Sequence, residues 1–301
     1  MCSARVFQRG ACSSRSLAFG ATLAPRHFGL CPRKSNQLKT LLLNLWAYRH
    51  FIVASIKSEQ IRRFARSSLG ALWFILHPIA QSAIFALVLS EVLSAKLPGI
   101  ANKAGYAIYL MAGMAAWGLF AEIVTRSTTI FIEYSSALKK IAFPRMCLPV
   151  IVGGSALFNH VLLLAAICIV FAFFDHWPGR AWVVLPLGIV LIAMFAFGLG
   201  VLLGVFNVFA RDVGQVFGIV IQIWFWLTPI VYTIDALPKH MKWLADANPM
   251  GPLVRVYQEA MVYNALPNWA SLVIPASIAA GLFILSFIVF KRASADLVDA
   301  L

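Results

Sequence analysis

"WVVLPLGIVLIAMFAFGLGVLLGVFNVF", residues 182–209, runs for 28 residues without one charged side chain. A helix crosses the roughly 30 Å hydrocarbon layer with about 20 apolar residues, so this run is long enough to do so alone. The rest of the chain agrees with it. Charged residues make up 12% of the 301 and hydrophobic ones 61%, against roughly 25% charged in soluble domains. Further apolar runs lie near 71–93, 106–128, 147–174, 214–234 and 268–290. The expectation is an all-α polytopic membrane protein with six transmembrane helices.

The net charge of +14 is unevenly placed. Residues 1–66 hold 12 Lys/Arg and a single acid, Glu59, while the remainder holds 13 Lys/Arg and 10 acids. In a membrane protein such a basic arm reads as cytoplasmic retention and contact with anionic lipid; charge alone, without a binding fold, does not argue for nucleic acid. Counting basic residues in the short flanks puts both termini in the cytoplasm. Lys139, Lys140, Arg145, Arg211, Lys291 and Arg292 then lie on that side as well. Residues 1–44 are rich in Arg and Ser and lack the apolar core of a secretory signal. Their composition is that of a transit peptide, a disordered extension, or a start placed too far upstream; the expectation is a disordered basic extension. The five cysteines show no C-x-x-C or Cys/His ligand spacing, so neither a structural disulfide nor a metal site is expected.

Before the first run, Ile52, Ile56, Ile61, Phe64 and Ala65 recur at helical spacing with Arg62, Arg63 and Arg66 among them. This predicts an amphipathic helix in the cytoplasmic interface, with Gly70 allowing the turn into the first span. Between the last two runs, Leu237, Met241, Trp243 and Leu244 and then Leu253, Val256, Tyr257, Ala260 and Met261 fit two helix faces, broken at "NPMGP". Two short helices packed at the outer leaflet are expected there.

"IEYSSALKKIAFPR", 132–145, separates the second and third runs. Ile130, Tyr134, Ala137, Leu138 and Ile141 share one helix face, Glu133, Ser136, Lys139 and Lys140 cover the rest, and Pro144 ends it. A free loop has no use for an apolar stripe; such a helix faces either the membrane surface or a partner protein.

The order of motifs is specific. "RRFARSSLGALWFILHPIAQ", "YAIYLMAGMAAWGLFAEIVTRST", "ALKKIAFPRMCLPV", "NVFARDVGQV", "FWLTPIVYTIDALP", "NPMGPLVRVYQEAM" and "FKRASADLVDAL" follow one another between the expected spans. Together, over residues 45–301, they resemble the membrane subunits of ABC-2 type polysaccharide exporters, such as O-antigen, capsule and teichoic-acid permeases. The resemblance implies a homodimer in the bacterial inner membrane, paired with two copies of a separate cytoplasmic ATPase, passing a lipid-linked glycan. It implies that the segment around 130–143 is a coupling helix docking on the ATPase, with Glu133, Lys139, Lys140 and Arg145 as contacts, and that Arg211 and Asp212 form a second contact. It also implies an aromatic-lined channel, for which Trp73, Phe74, Trp117, Phe120, Trp224, Phe225, Trp226 and Tyr232 are candidates; aromatics also gather at membrane interfaces for their own reasons.

No G-x-x-x-x-G-K-[ST] phosphate loop exists in the chain, so ATP and magnesium belong to the partner and no cofactor is expected here. "GLGVLLG", 198–204, lies mid-span, where Gly200 and Gly204 read as small-residue helix packing. Glu122 and Arg126 stand i, i+4 and read as a structural pair. His77-Pro78 and Asn159-His160 read as polar spots satisfied by neighbouring helices, or as kinks. No nucleophile–base set or paired carboxylates appear, so no enzyme chemistry is expected. The alternatives are an exporter of drugs or other lipids within the same architecture and, in a different class, a membrane-embedded glycan-modifying enzyme.

Overall fold

The computed structural model describes residues 46–65, 103–140, 144–173, 177–234, 242–294, and the single positions 72, 73, 76, 80, 84, 238, 240 and 297. The arm 1–44, most of the expected first span with Phe74 and His77-Pro78, Arg66 and Gly70, and the side chains of Arg63 and Lys140 lie outside the described residues.

The described elements are helical: α1 (Arg49–Ala65), α2 (Lys103–Glu133), α3 (Ser135–Lys140), α4 (Cys147–Phe173), a 3-10 turn (Arg180–Val184) leading into α5 (Leu185–Phe209), α6 (Asp212–Leu227), α7 (Lys242–Ala247), α8 (Met250–Val262) and α9 (Trp269–Ala293). Among the described residues, four helical stretches are long and apolar enough to cross a membrane: Gly105–Glu133, Cys147–Ala172, Arg180–Phe209 and Trp269–Ala293. These correspond to four of the six expected spans.

Helix α2 is the axis of the bundle. Leu110, Ala112, Ala116, Phe120 and Val124 along it have no exposed surface. It meets α5 where glycine permits backbone approach: a Cβ on Gly200 would stand 2.7 Å from Ser127 Cβ, and one on Gly204 would collide with the Ser127 carbonyl. The small-residue reading of these two glycines is what the packing uses.

Three expectations need correction. First, among the described residues the amphipathic helix expected over 130–143 is shorter and begins later. The second span runs on to Glu133, so Ile130 belongs to α2 and is buried with Phe131. Only six residues, Ser135–Lys140, follow as α3. Tyr134 N to Ile130 O (3.0 Å) and Leu138 N to Tyr134 O (2.9 Å) carry helical hydrogen bonding across the join.

Second, the span expected at 214–234 is helical only to Leu227. Pro229 lacks an N–H and forces Thr228 into extended backbone, φ −91°, ψ 134°. Sixteen helical residues reach about 24 Å, and the chain continues as buried, irregular Thr228–Val231.

Third, the two short helices expected on either side of the "NPMGP" break are present as α7 and α8, but α8 is packed into the bundle. Met250, Leu253, Val254, Tyr257, Ala260 and Met261 are fully enclosed. The polar side of α8, with Arg255 and Glu259, is itself only partly exposed, so the helix is enclosed although it is amphipathic. α8 enters the bundle far enough for Tyr257 to meet His160, midway along α4.

Candidate functional site

A cavity of about 820 Å³ opens beside α2. Its wall runs from Met111 to Glu122 on that helix, about 16 Å, and is completed by α4, α6 and Trp73. One part is aromatic, with Trp73, Trp117, Phe225 and Trp226; another is polar, with Glu122, Asn159, His160 and Gln222. Gly118 also lines it, and a Cβ there would meet nothing within 4 Å.

The aromatic candidates therefore divide. Trp73, Trp117, Phe225 and Trp226 meet at the cavity. Phe120 does not; it is fully buried, stacked on Phe195 at 5.5 Å and edge-on to Trp224 at 5.2 Å. Trp224 packs into the same cluster and donates its indole N–H to Asn248 Oδ1 (2.9 Å). Tyr232 donates its hydroxyl to the Trp226 carbonyl (3.1 Å) and is not part of the wall.

The polar wall is tied to α1. Arg126 donates from Nη1 to Glu122 Oε1 (3.3 Å) and from Nη2 to Glu59 Oε1 on α1. Ser155 Oγ donates to Glu59 Oε2 (2.7 Å), and Asn159 Nδ2, one turn further along α4, donates to Glu122 Oε1 (2.7 Å). The Glu122–Arg126 spacing was legible; Glu59, 67 positions from Arg126, was not. Asn159 and His160 have helix neighbours as partners, with His160 Nε2 2.9 Å from the Tyr257 hydroxyl.

The coupling candidates gather at this same end of the bundle. Ile130 and Phe131 of α2, Leu148 of α4, Val205 and Val208 of α5 and Phe290 of α9 form one buried cluster there, next to Met146. Leu138 of α3 packs against it. Glu133, Lys139, Arg211, Asp212 and Arg62 are exposed and Arg145 is half-buried. Glu133 accepts from Thr129 Oγ1 (2.5 Å). The turn carrying Arg211 is held by Asn207, which donates to Thr128 O (2.9 Å) and accepts from Gly214 N (2.9 Å). Periodicity alone does not flag Asn207, since it sits within an apolar run.

At the opposite end, the break in α6 leaves backbone carbonyls without helical partners. Tyr106 Oη donates to Val231 O (2.7 Å), Tyr109 Oη to Tyr232 O (3.3 Å), Gln258 Nε2 to Pro229 O (3.2 Å) and Asn248 Nδ2 to Leu227 O (3.3 Å). Irregular backbone at membrane depth persists only where protein satisfies it in this way.

Comparison with known proteins agrees with this architecture. A relative in Klebsiella pneumoniae called O-antigen export system permease protein RfbA is 28% identical over 212 residues, 68% of this chain and 77% of its own length. A Myxococcus xanthus protein of the same name is 24% identical over 241 residues, 79% of this chain and 90% of its own. The profile of the ABC-2 type transporter family matches residues 50–262. The chain belongs to the ABC-2 type transporter family and is a transport protein, not an enzyme.

Proposed function

We propose that this chain is the permease subunit of an exporter that carries a lipid-linked polysaccharide of the O-antigen type across the bacterial inner membrane. It works as a homodimer driven by two copies of a separate ATPase. Membership of the ABC-2 family supports the ATPase partner, and the relatives' name supports the class of cargo.

The observation that carries the reading is the open face of α6, which includes the cavity residues Gln222 and Trp226. None of its residues is fully buried. Gln215 and Gln222, two turns apart, are both exposed, on a helix that ends with Trp226, itself 58% exposed. An amide group facing hydrocarbon without a partner costs free energy. This face therefore suits a second copy or a hydrated path between copies. Glycan chains suit such a path, because sugar hydroxyls bond amides and sugar C–H faces pack on aromatic rings.

In this reading α3 and the Arg211 turn face the cytoplasm and receive the ATPase. Lys139 projects from α3 into solvent, so reversing it changes contact and not packing. The double substitution Lys139→Glu, Lys140→Glu is expected to lower surface glycan and recovery of the ATPase with the permease, at normal membrane content. An exposed charge contributes only about 0–1 kcal/mol to the fold. Normal glycan and normal ATPase recovery would return this segment to an ordinary positively charged loop.

A further inference from the structure

We infer that Arg126 is a positioning residue, the link through which the docking of α1 sets the polar wall of the cavity. What the cavity serves rests on the exporter reading above; the link itself does not.

α1 docks through Ile52, Ile56 and Glu59, spaced i, i+4, i+7 on one face. Ile52 packs with Cys147 and Ile151 of α4. Ile56 fills the niche at Gly154, where a Cβ would lie 2.5 Å from its Cδ1. The third contact is a carboxylate, and it reaches past α4 to Arg126 of α2. From there the chain of contacts passes to Glu122 and Asn159, both of which line the cavity. Ser155 and Asn159, one helical turn apart on α4, each give one donor to one of the two carboxylates.

The side chains of Glu59, Arg126 and Glu122 are 16%, 24% and 27% exposed. Enclosed ion pairs add little net stability compared with apolar packing of the same volume. As an anchor alone, a third isoleucine would serve α1 as well. What the guanidinium contributes is position: a rigid, permanently charged fork with one arm on each carboxylate. If α1 shifts, Arg126 cannot keep both arms engaged, and Glu122 and Asn159 must re-pair. By linkage the effect runs both ways, so disturbing the cavity wall also loosens α1.

The test uses the permease–ATPase complex in lipid nanodiscs, with hydrogen–deuterium exchange read over residues 49–65. Arg126→Gln is expected to speed exchange in α1 by about tenfold, and Arg126→Lys, which keeps the cation, to restore most of the protection. Glu122→Gln is the discriminating variant: Glu122 lies on α2 beside the cavity, yet exchange in α1 should also rise. In parallel, glycan exported per ATP hydrolysed should fall about tenfold in Arg126→Gln. Faster α1 exchange in Arg126→Gln but none in Glu122→Gln would reduce Arg126 to an anchor and overturn the link, as would an unchanged export-to-hydrolysis ratio. Should Arg126→Gln fail to insert, Arg126→Lys and Glu122→Gln decide alone. Absence of glycan export by the unaltered complex would count against the exporter reading and leave the exchange result standing.

Discussion

The two ends of the bundle are held by different chemistry. At the α1 end, charged side chains on α1 and α2 bridge elements far apart in sequence. At the α8 end, neutral donors from Tyr106, Tyr109, Asn248 and Gln258 close on the carbonyls of a broken helix. The difference follows from what each end must satisfy. A broken helix at membrane depth has fixed acceptors and no water to fall back on, so its donors have no alternative arrangement. The ion pairs at the α1 end are part-exposed, with side chains 16–27% accessible, so their charged groups can be separated and re-formed at lower cost than a sealed backbone break. The α8 end is a closed joint; the α1 end is one that can be remade.

The strongest way to break this comparison is Glu59→Lys. It sets a cation against Arg126, and like-charge juxtaposition costs several kcal/mol. Surface glycan is expected to drop more than about tenfold, with α1 released from α4. Normal export from this variant would show that the α1 end is as indifferent to charge as the rest of the bundle.

Asn248→Ala probes the other joint. Asn248 accepts from Trp224 Nε1 and Met250 N and donates to Leu227 O and Thr228 Oγ1. At about 1 kcal/mol for each of these four bonds, losing this hub should destabilise the purified protein by about 4 kcal/mol. A lowered thermal midpoint in detergent would register the loss. An unchanged midpoint would mean that the carbonyls of the break find other donors, against the distinction drawn here.

The smallest effect concerns Glu259, a charged residue of α8 near the neutral donors, in a pocket it shares with Arg255 and Tyr109. Burial pushes its carboxyl up, and Arg255 draws it back only in part. A raised folded value means the fold favours the protonated form, so this contribution is full at low pH and fades as pH rises through the raised value. Glu259→Gln should therefore raise the thermal midpoint slightly at neutral pH, by less than about 2 °C. The gain should vanish below the ordinary glutamate value of about 4.3. A variant less stable at neutral pH would mean that the charge is needed there.

What could be read from the sequence depended on whether the signal was local. The long apolar runs, the Glu122–Arg126 spacing and the glycines facing Ser127 are regular patterns along one helix. The Thr228–Pro229 break lay in plain view but was outweighed by the apolar residues around it. The depth of α8 was not legible because its apolar face, Leu253, Val256, Tyr257, Ala260 and Met261, suits a membrane surface as well as the interior of the bundle, where Met250 and Val254 are enclosed too. Glu59 stood out as the single acid in a basic arm, yet its partner is set by the packing of α1 on α4, which no local pattern encodes. The eight aromatic candidates could not be sorted beforehand, because cavity-lining Trp117 and enclosed Phe120 are three positions apart on one helix.

Only Ala210 and Arg211 separate α5 from α6, and Asn207 fastens both sides of that turn. This short connection bears on how the chain is made. As α6 emerges from the ribosome it is apolar but only 16 residues long, and it carries Asp212, Gln215 and Gln222, short of the roughly 20 apolar residues that cross a bilayer alone. With two residues of slack it has no opportunity to wait in water while α5 enters. Such a connection favours entry of the pair as a single hairpin, with the longer apolar run of α5 carrying its shorter neighbour.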